Sequence, residues 1–226
     1  MENQAKSVKL FWEDPYAVSA DVKITSAEGP SVTLDRTVGF AWPGGQLADT
    51  GTIGGWPILG AKYDGGEIYY TLDVGHRLKT GDTVTMNIDW RLRYIYMRLH
   101  FAAELAIVIL HKHFAIAPEL LVRADILSTK AALEYHWDDG GRPAFTNLAE
   151  TFPVLERELR SLIGADHPII SGWLDRETEK RYWEIAGLAK VPCNGTHLRR
   201  TGEIGAFRLA YAAPAPDVEG VHIFLA

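Results

Sequence analysis

DWRLRYIYMRLHFAAELAIVILHK, residues Asp89–Lys112, is the stretch on which the fold reading turns. It holds no glycine and no proline. Tyr94, Met97, His100, Phe101, Glu104, Leu105 and Val108 recur at spacings of three and four, the repeat of one helix face. Asp89 stands where a helix cap belongs. The chain before it reads differently. Val8–Trp12, Asp21–Thr25, Ser31–Leu34, Glu67–Leu72 and Thr83–Ile88 are short and rich in β-branched or aromatic residues. Glu28-Gly29-Pro30, Asp64-Gly65-Gly66 and Thr80-Gly81-Asp82 lie between such segments as turns. Short strands joined this way predict a small barrel or sandwich.

Beyond the helix the pattern is mixed. Thr151–Ile163 predicts a second helix, with Phe152, Leu155, Leu159 and Leu162 on one stripe and Pro153 in the first turn, where no backbone N–H is needed. Ile126–Trp137, Arg181–Ile185, Gly205–Tyr211 and Gly220–Leu225 read as strands. Helices and strands without strict alternation define an α+β arrangement. The expected organisation is a β-rich domain over 1–89 and an α+β domain over 90–226.

Composition narrows the function classes. Of the 226 residues 47% are hydrophobic and 23% charged, the balance of a globular protein able to bury its own core. The start, MENQAKSVKLFWEDPY, lacks the apolar run of a signal peptide. Phe101–Leu110, the longest apolar stretch, is interrupted by Glu104 and too short to span a bilayer. The expectation is a cytoplasmic protein with no membrane partner; the sequence is silent on oligomeric state. A formal net charge of −6 disfavours broad, non-specific binding to nucleic acid and leaves room for a local basic patch. The one cysteine, Cys193, has no partner for an internal disulfide, so it packs, reacts or binds a metal.

Two short patterns carry ligand chemistry. His100 and Glu104, four apart on the predicted helix, lie one turn from each other on the same face and can hold one metal ion. The alternative is a half-buried histidine beside an exposed glutamate. Cys193-Asn-Gly-Thr-His197 places a thiol and an imidazole across a turn favoured by Asn194-Gly195. The alternative there is a buried cysteine near a surface histidine. Together the four side chains offer two nitrogens, a sulfur and a carboxylate, a chemically sensible zinc shell. Gly44-Gly45-Gln46 follows Trp42-Pro43 in a loop. Adjacent glycines let the backbone approach a ligand, and Gln46 both donates and accepts; a plain turn is the other reading. Arg91, Arg93 and Arg98 flank the helix start, Lys112 closes it, and Arg199 and Arg200 follow His197. Arginines so placed suit phosphate or form a solvated face.

These pieces occur in one order in a known family. Thr37-Val-Gly-Phe-Ala-Trp-Pro-Gly44-Gly45-Gln46, then Asp89-Trp90-Arg91 leading to His100-Phe-Ala-Ala-Glu104, then Cys193-Asn194-Gly195-Thr196-His197 leading to Thr201-Gly202-Glu203-Ile204-Gly205, resemble the blocks of the freestanding alanyl-tRNA editing proteins and of the editing region of alanyl-tRNA synthetase. The resemblance implies a β-barrel-like N-terminal domain followed by an α+β editing domain. It implies one zinc ion held by His100, Glu104, Cys193 and His197, and hydrolysis of the ester joining serine or glycine to the acceptor end of tRNA meant for alanine. Thr37, which would contact a serine hydroxyl, stands with Gln46 and Glu104 as a catalytic candidate. Gly44, Gly45, Arg98, Arg199 and Arg200 are the substrate-binding candidates. The sequence departs from the family in four places. Glu104 replaces a second helical histidine and Asn194 replaces a glycine. Gly39-Phe40-Ala41 stands for Phe-Tyr-Pro, and no acidic residue occurs in Leu188-Ala189-Lys190-Val191. Glu104 has three readings: a ligand through oxygen, an absentee from a three-residue shell, or a general base. Two rival functions stay open: a homologue that holds tRNA without hydrolysing it, and a metal hydrolase of another small ester or amide.

Overall fold

The computed structural model describes residues 6–137 and 147–226. The chain divides into two compact units. The first comprises the described residues of Met1–Pro43 together with Leu47–Tyr94; the second comprises Gly44–Gln46 and Ile95–Ala226. The division falls inside the long helix rather than before it, and the Gly-Gly-Gln loop belongs to the second unit although its neighbours on both sides belong to the first.

In the first unit, β1 (Val8–Lys9) runs into a single helical turn, α1 (Leu10–Glu13). The sequence reading had one strand across Val8–Trp12. Phe11 and Trp12 are buried from the helical turn instead, since a short apolar run does not by itself distinguish a strand from a buried turn. The strands β2 (Ser19–Glu28), β3 (Ser31–Leu34), β4 (Arg36–Thr37), β5 (Gly51–Ile53), β6 (Trp56–Pro57), β7 (Gly60–Asp64), β8 (Glu67–Thr71) and β9 (Thr83–Ile88) follow. Seven of them form one antiparallel sheet in the order β6-β5-β9-β2-β3-β8-β7. The sheet curls into a half-barrel. Ile24, Val32, Leu34, Ile53, Ile68, Tyr70 and Met86 are among its buried residues. Arg93, a buried cation there, is 0% exposed. Its Nε donates to both carboxylate oxygens of Asp49 at 2.9 and 3.0 Å, Nη1 to the Pro15 carbonyl at 2.8 Å, and Nη2 to the Val38 carbonyl at 2.7 Å and to Asp49. Arg93 is therefore neither a phosphate ligand nor part of a solvated face, the two readings its sequence position allowed.

The helix α2 (Trp90–Phe114) starts as expected, with the Asp89 carboxylate accepting from the Leu92 amide at 3.1 Å. Burial extends round it, to Leu99, Ala102, Ala103 and Ala106 beyond the expected stripe, which marks a core helix. Among the described residues it is the one helix long and apolar enough to cross a bilayer, and 61% of its most apolar window is buried inside the protein. In the second unit β10 (Leu121–Ile126) and β11 (Ala131–His136) form a hairpin where one strand was expected. The helix α3 (Phe152–Ala165) buries Leu155 and Leu159 and ends on Asp166 in the left-handed conformation. There follow β12 (Ile170–Asp175), β13 (Lys180–Ile185), β14 (Ala189–Pro192), β15 (Phe207–Ala215) and β16 (Val218–Leu225). They build two antiparallel sheets, β10-β11-β16-β15 and β12-β13-β14. The molecule is α+β, as the pattern required.

Candidate metal centre

Helix spacing brings the first two groups together. His100 and Glu104 lie on successive turns of α2, and His100 Nε2 is 3.6 Å from Glu104 Oε1. The second pair arrives from the end of β14. Antiparallel pairing with β13 extends past Pro192, the Cys193 amide donating to the Arg181 carbonyl at 2.9 Å, which fixes where the chain turns. Asn194 then locks the turn onto β13: its Oδ1 accepts from the Arg181 amide at 2.9 Å and its Nδ2 donates to the Glu179 carbonyl at 2.8 Å. The asparagine that breaks the family pattern thus has a structural task.

Gly195 follows because nothing larger fits. A Cβ there would come within 2.4 Å of His100 Cε1, so the turn closes directly over the imidazole. Thr196, 1% exposed, is gripped by Gln46. Gln46 Nε2 donates to Thr196 Oγ1 at 2.9 Å and Gln46 Oε1 accepts the Thr196 amide at 3.4 Å. Gln46 reaches this position because its own strand-like segment lies parallel to Ile126, with Gly45 O accepting the Ile126 amide at 2.6 Å. A side chain at Gly45 would strike the Ala124 carbonyl, 1.5 Å from where its Cβ would stand. The Gly-Gly-Gln tripeptide is therefore more than a turn: its glycine permits close strand contact and its glutamine orders the Cys-Asn-Gly-Thr-His segment.

The outcome is a cluster. The ligand atoms of His100, Cys193 and His197 lie within 4.8 Å of one another. Glu104 does not join that mutual set of three, but its Oε1 is 3.7 Å from Cys193 Sγ as well as near His100. Its other oxygen accepts from the buried indole of Trp183 at 2.8 Å. Ser171 Oγ is 3.0 Å from His197 Nδ1. Burial pushes the Cys193 thiol well above its usual range, and the Glu104 carboxylate adds to this. Burial pushes both imidazoles down, His197 furthest, with His100 and Arg181 adding to its fall, while Glu104 partly opposes the fall of His100. Arg181 is lowered to about 10 by burial, with Cys193 opposing.

The His100, Cys193 and Glu104 atoms lie at separations suited to a zinc ion, while Glu104 falls outside the 4.8 Å set of His100, Cys193 and His197. Bonds of about 2.0–2.3 Å at tetrahedral angles put ligand atoms roughly 3.3–3.8 Å apart. The His100–Cys193 separation of 3.3 Å, the His100–Glu104 separation of 3.6 Å and the Cys193–Glu104 separation of 3.7 Å all fall in that range. His197 Nε2 is buried with no hydrogen-bond partner, a condition that costs free energy unless something else meets its lone pair; at His100 the unpaired atom is Nδ1, not the Nε2 that faces Cys193 and Glu104. Neutral imidazoles are the form a cation binds, and a thiol held protonated by burial would give up its proton to solvent when a cation takes its place.

The other sequence candidates are placed as follows. Thr37 is fully buried in the first unit, its hydroxyl 2.6 Å from the Tyr70 hydroxyl and accepting the Gly39 amide at 2.9 Å. Arg98 Nε donates to the Ile204 carbonyl at 2.9 Å, tying α2 to the short helical turn Thr201–Ile204. Arg200 pairs with Asp166 at 2.6 Å on the surface, and Lys112 Nζ donates to the Leu188 carbonyl at 2.7 Å. Arg199 is exposed, and its amide donates to Glu203. Trp183 and Ser171 were missed. Nothing in Lys180–Ile185 beyond alternating burial marks its tryptophan, and a lone serine carries no signal. Glu104 also borders an apolar cavity of about 440 Å³ lined by Ile107, Val108, Leu121, Tyr135 and Val191.

The model of the threonyl and alanyl tRNA synthetase second additional domain matches residues 184–213, the segment that contains Cys193 and His197. The chain is similar to freestanding alanyl-tRNA editing proteins. It is 26% identical to an alanyl-tRNA editing protein AlaX-M of Pyrococcus horikoshii, covering 87% of each chain, and 26% identical to its namesake from Methanosarcina mazei, covering 88% of each. It is also 28% identical to an alanine–tRNA ligase of Ignicoccus hospitalis, where 89% of this chain covers only 24% of the ligase.

Proposed function

We propose that this protein hydrolyses mischarged aminoacyl-tRNA, removing serine or glycine from tRNA meant for alanine, with one zinc ion held by His100, Glu104, Cys193 and His197. The observation that carries the reading is the convergence of the His100, Cys193 and His197 ligand atoms within 4.8 Å of one another. A bound zinc ion supplies a fixed positive charge against the aminoacyl end of the substrate. The chain does the rest. Ser171 Oγ, 3.0 Å from His197 Nδ1, would accept from it in the tautomer that leaves Nε2 for the ion. Gln46 holds Thr196 and with it the segment that presents both ligands. Backbone groups of the exposed Gly44–Gly45 loop steady the ester carbonyl as charge develops on its oxygen. Arg98, Arg199, Arg200 and Lys112 meet phosphates at the acceptor end of the tRNA. The protein acts in the cytoplasm on this reading.

The test is deacylation of Ser-tRNA and Gly-tRNA of the alanine type, with and without chelator. Wild type is expected to hydrolyse at least one of them, to lose the activity on chelation and to regain it with zinc. Cys193→Ala should be inactive and metal-free. Tight tRNA binding without turnover would instead favour a homologue that only holds tRNA. The apolar cavity beside Glu104 favours a second reading, hydrolysis of a small ester with an apolar group. Small esters that compete with mischarged tRNA, and are themselves cleaved, would establish it.

A further inference from the structure

Glu104 has two oxygens in different surroundings, and the difference assigns work to a residue outside the cluster. Oε1 faces the ligand atoms, 3.6 Å from His100 Nε2 and 3.7 Å from Cys193 Sγ. Oε2 accepts from Trp183 Nε1 at 2.8 Å. The carboxylate is 18% exposed and Trp183 is 0% exposed, so each is largely beyond the reach of solvent. An indole N–H so buried needs an acceptor, and a buried carboxylate needs donors. The indole cannot swing away. Its ring packs edge-on against Phe101 at 5.1 Å between centroids, and its strand β13 is hydrogen-bonded on both sides, to β12 and to β14.

We propose that Trp183 is a positioning residue that makes Glu104 a one-oxygen ligand: the indole holds Oε2 and thereby aims Oε1 at the cation. This rests on the zinc reading above and adds to it how the carboxylate is oriented. A glutamate has one more rotatable bond than a histidine, and a free carboxylate swings between one-oxygen and two-oxygen binding. The indole bond removes that freedom, as hydrogen-bonded partners of ligands do in other metal sites.

The test is zinc affinity, measured by competition with a chromophoric chelator, for wild type, Trp183→Phe, Glu104→His and the double variant. Trp183→Phe should weaken zinc binding about 10–100-fold. In the Glu104→His background, which has no second carboxylate oxygen to hold, the same change should alter affinity less than about threefold. Equal losses in both backgrounds would make Trp183 a packing residue and overturn the proposal, as would no loss in either. Wild type that binds no zinc overturns the functional reading together with this one, whereas zinc-binding wild type with an unaffected Trp183→Phe sinks only this one. Should Trp183→Phe not fold, a crystal structure of zinc-loaded wild type decides. Coordination through Oε1 alone with the indole bond kept supports the proposal; both oxygens on the ion, or the indole released, overturns it.

Discussion

The molecule buries two polar centres, and they are built on opposite terms. In the half-barrel unit Arg93 and Asp49 close on each other. The guanidinium spends its donors on Asp49, Pro15 and Val38, and the carboxylate also accepts the Phe40 amide at 2.6 Å. Neither appears among the buried atoms left without a partner. In the helix-and-sheet unit His197 Nε2 is buried and unpaired, and the ligand atoms of His100, Cys193 and His197 lie within 4.8 Å of one another. Buried polar groups that satisfy one another hold a fold together, whereas buried groups that point at one spot with lone pairs to spare are arranged for a guest. Buried polar and charged side chains thus form a structural bolt in one unit and a candidate site in the other.

The sharpest way to break this comparison is to remove one member of each. Asp49→Ala leaves a fully buried guanidinium without its anion and should cost about 3–5 kcal/mol, read as a lower urea midpoint with little change in slope. A loss below about 1 kcal/mol would mean that the pair is not the bolt described. Zinc supplies the complementary case. At roughly a hundredfold over its dissociation constant, zinc should stabilise wild type by about 2.7 kcal/mol and Cys193→Ala not at all, measured by thermal unfolding with and without the ion. Equal stabilisation of both would move the metal away from Cys193. A smaller effect sharpens the geometry. Gly195→Ala puts a methyl 2.4 Å from His100 Cε1 and should weaken zinc binding by about tenfold while leaving the secondary structure intact by circular dichroism. The smallest effect is expected at the surface: Arg200→Ala removes an exposed pair with Asp166 and should not move the unfolding midpoint measurably.

Much of the fold was legible, and the misses have a common cause. Ser31–Leu34 and Thr83–Ile88 were bounded as strands to the residue, and the start of α2 within one, because turn glycines and the Asp89 cap are local signals. Short strands such as β5, β6, β12 and β14 were not seen. Two to six residues without a clear alternation exist only because a neighbouring strand pairs with them. Arg93 was read as a surface cation since its fixed partner, Asp49, is far off in sequence.

By itself the sequence determined the fold class and offered the ligand candidates. Helical spacing of three and four, turn chemistry and the Cys-Asn-Gly-Thr-His segment are short-range facts, written in neighbouring residues. Only the tertiary structure decided that these candidates meet, that Gln46 grips Thr196 across 150 residues of chain, and that an unremarked tryptophan in β13 holds one oxygen of Glu104. Those contacts depend on which strand pairs with which and in what register. One register shift would turn Trp183 to the opposite face and leave the carboxylate without its donor.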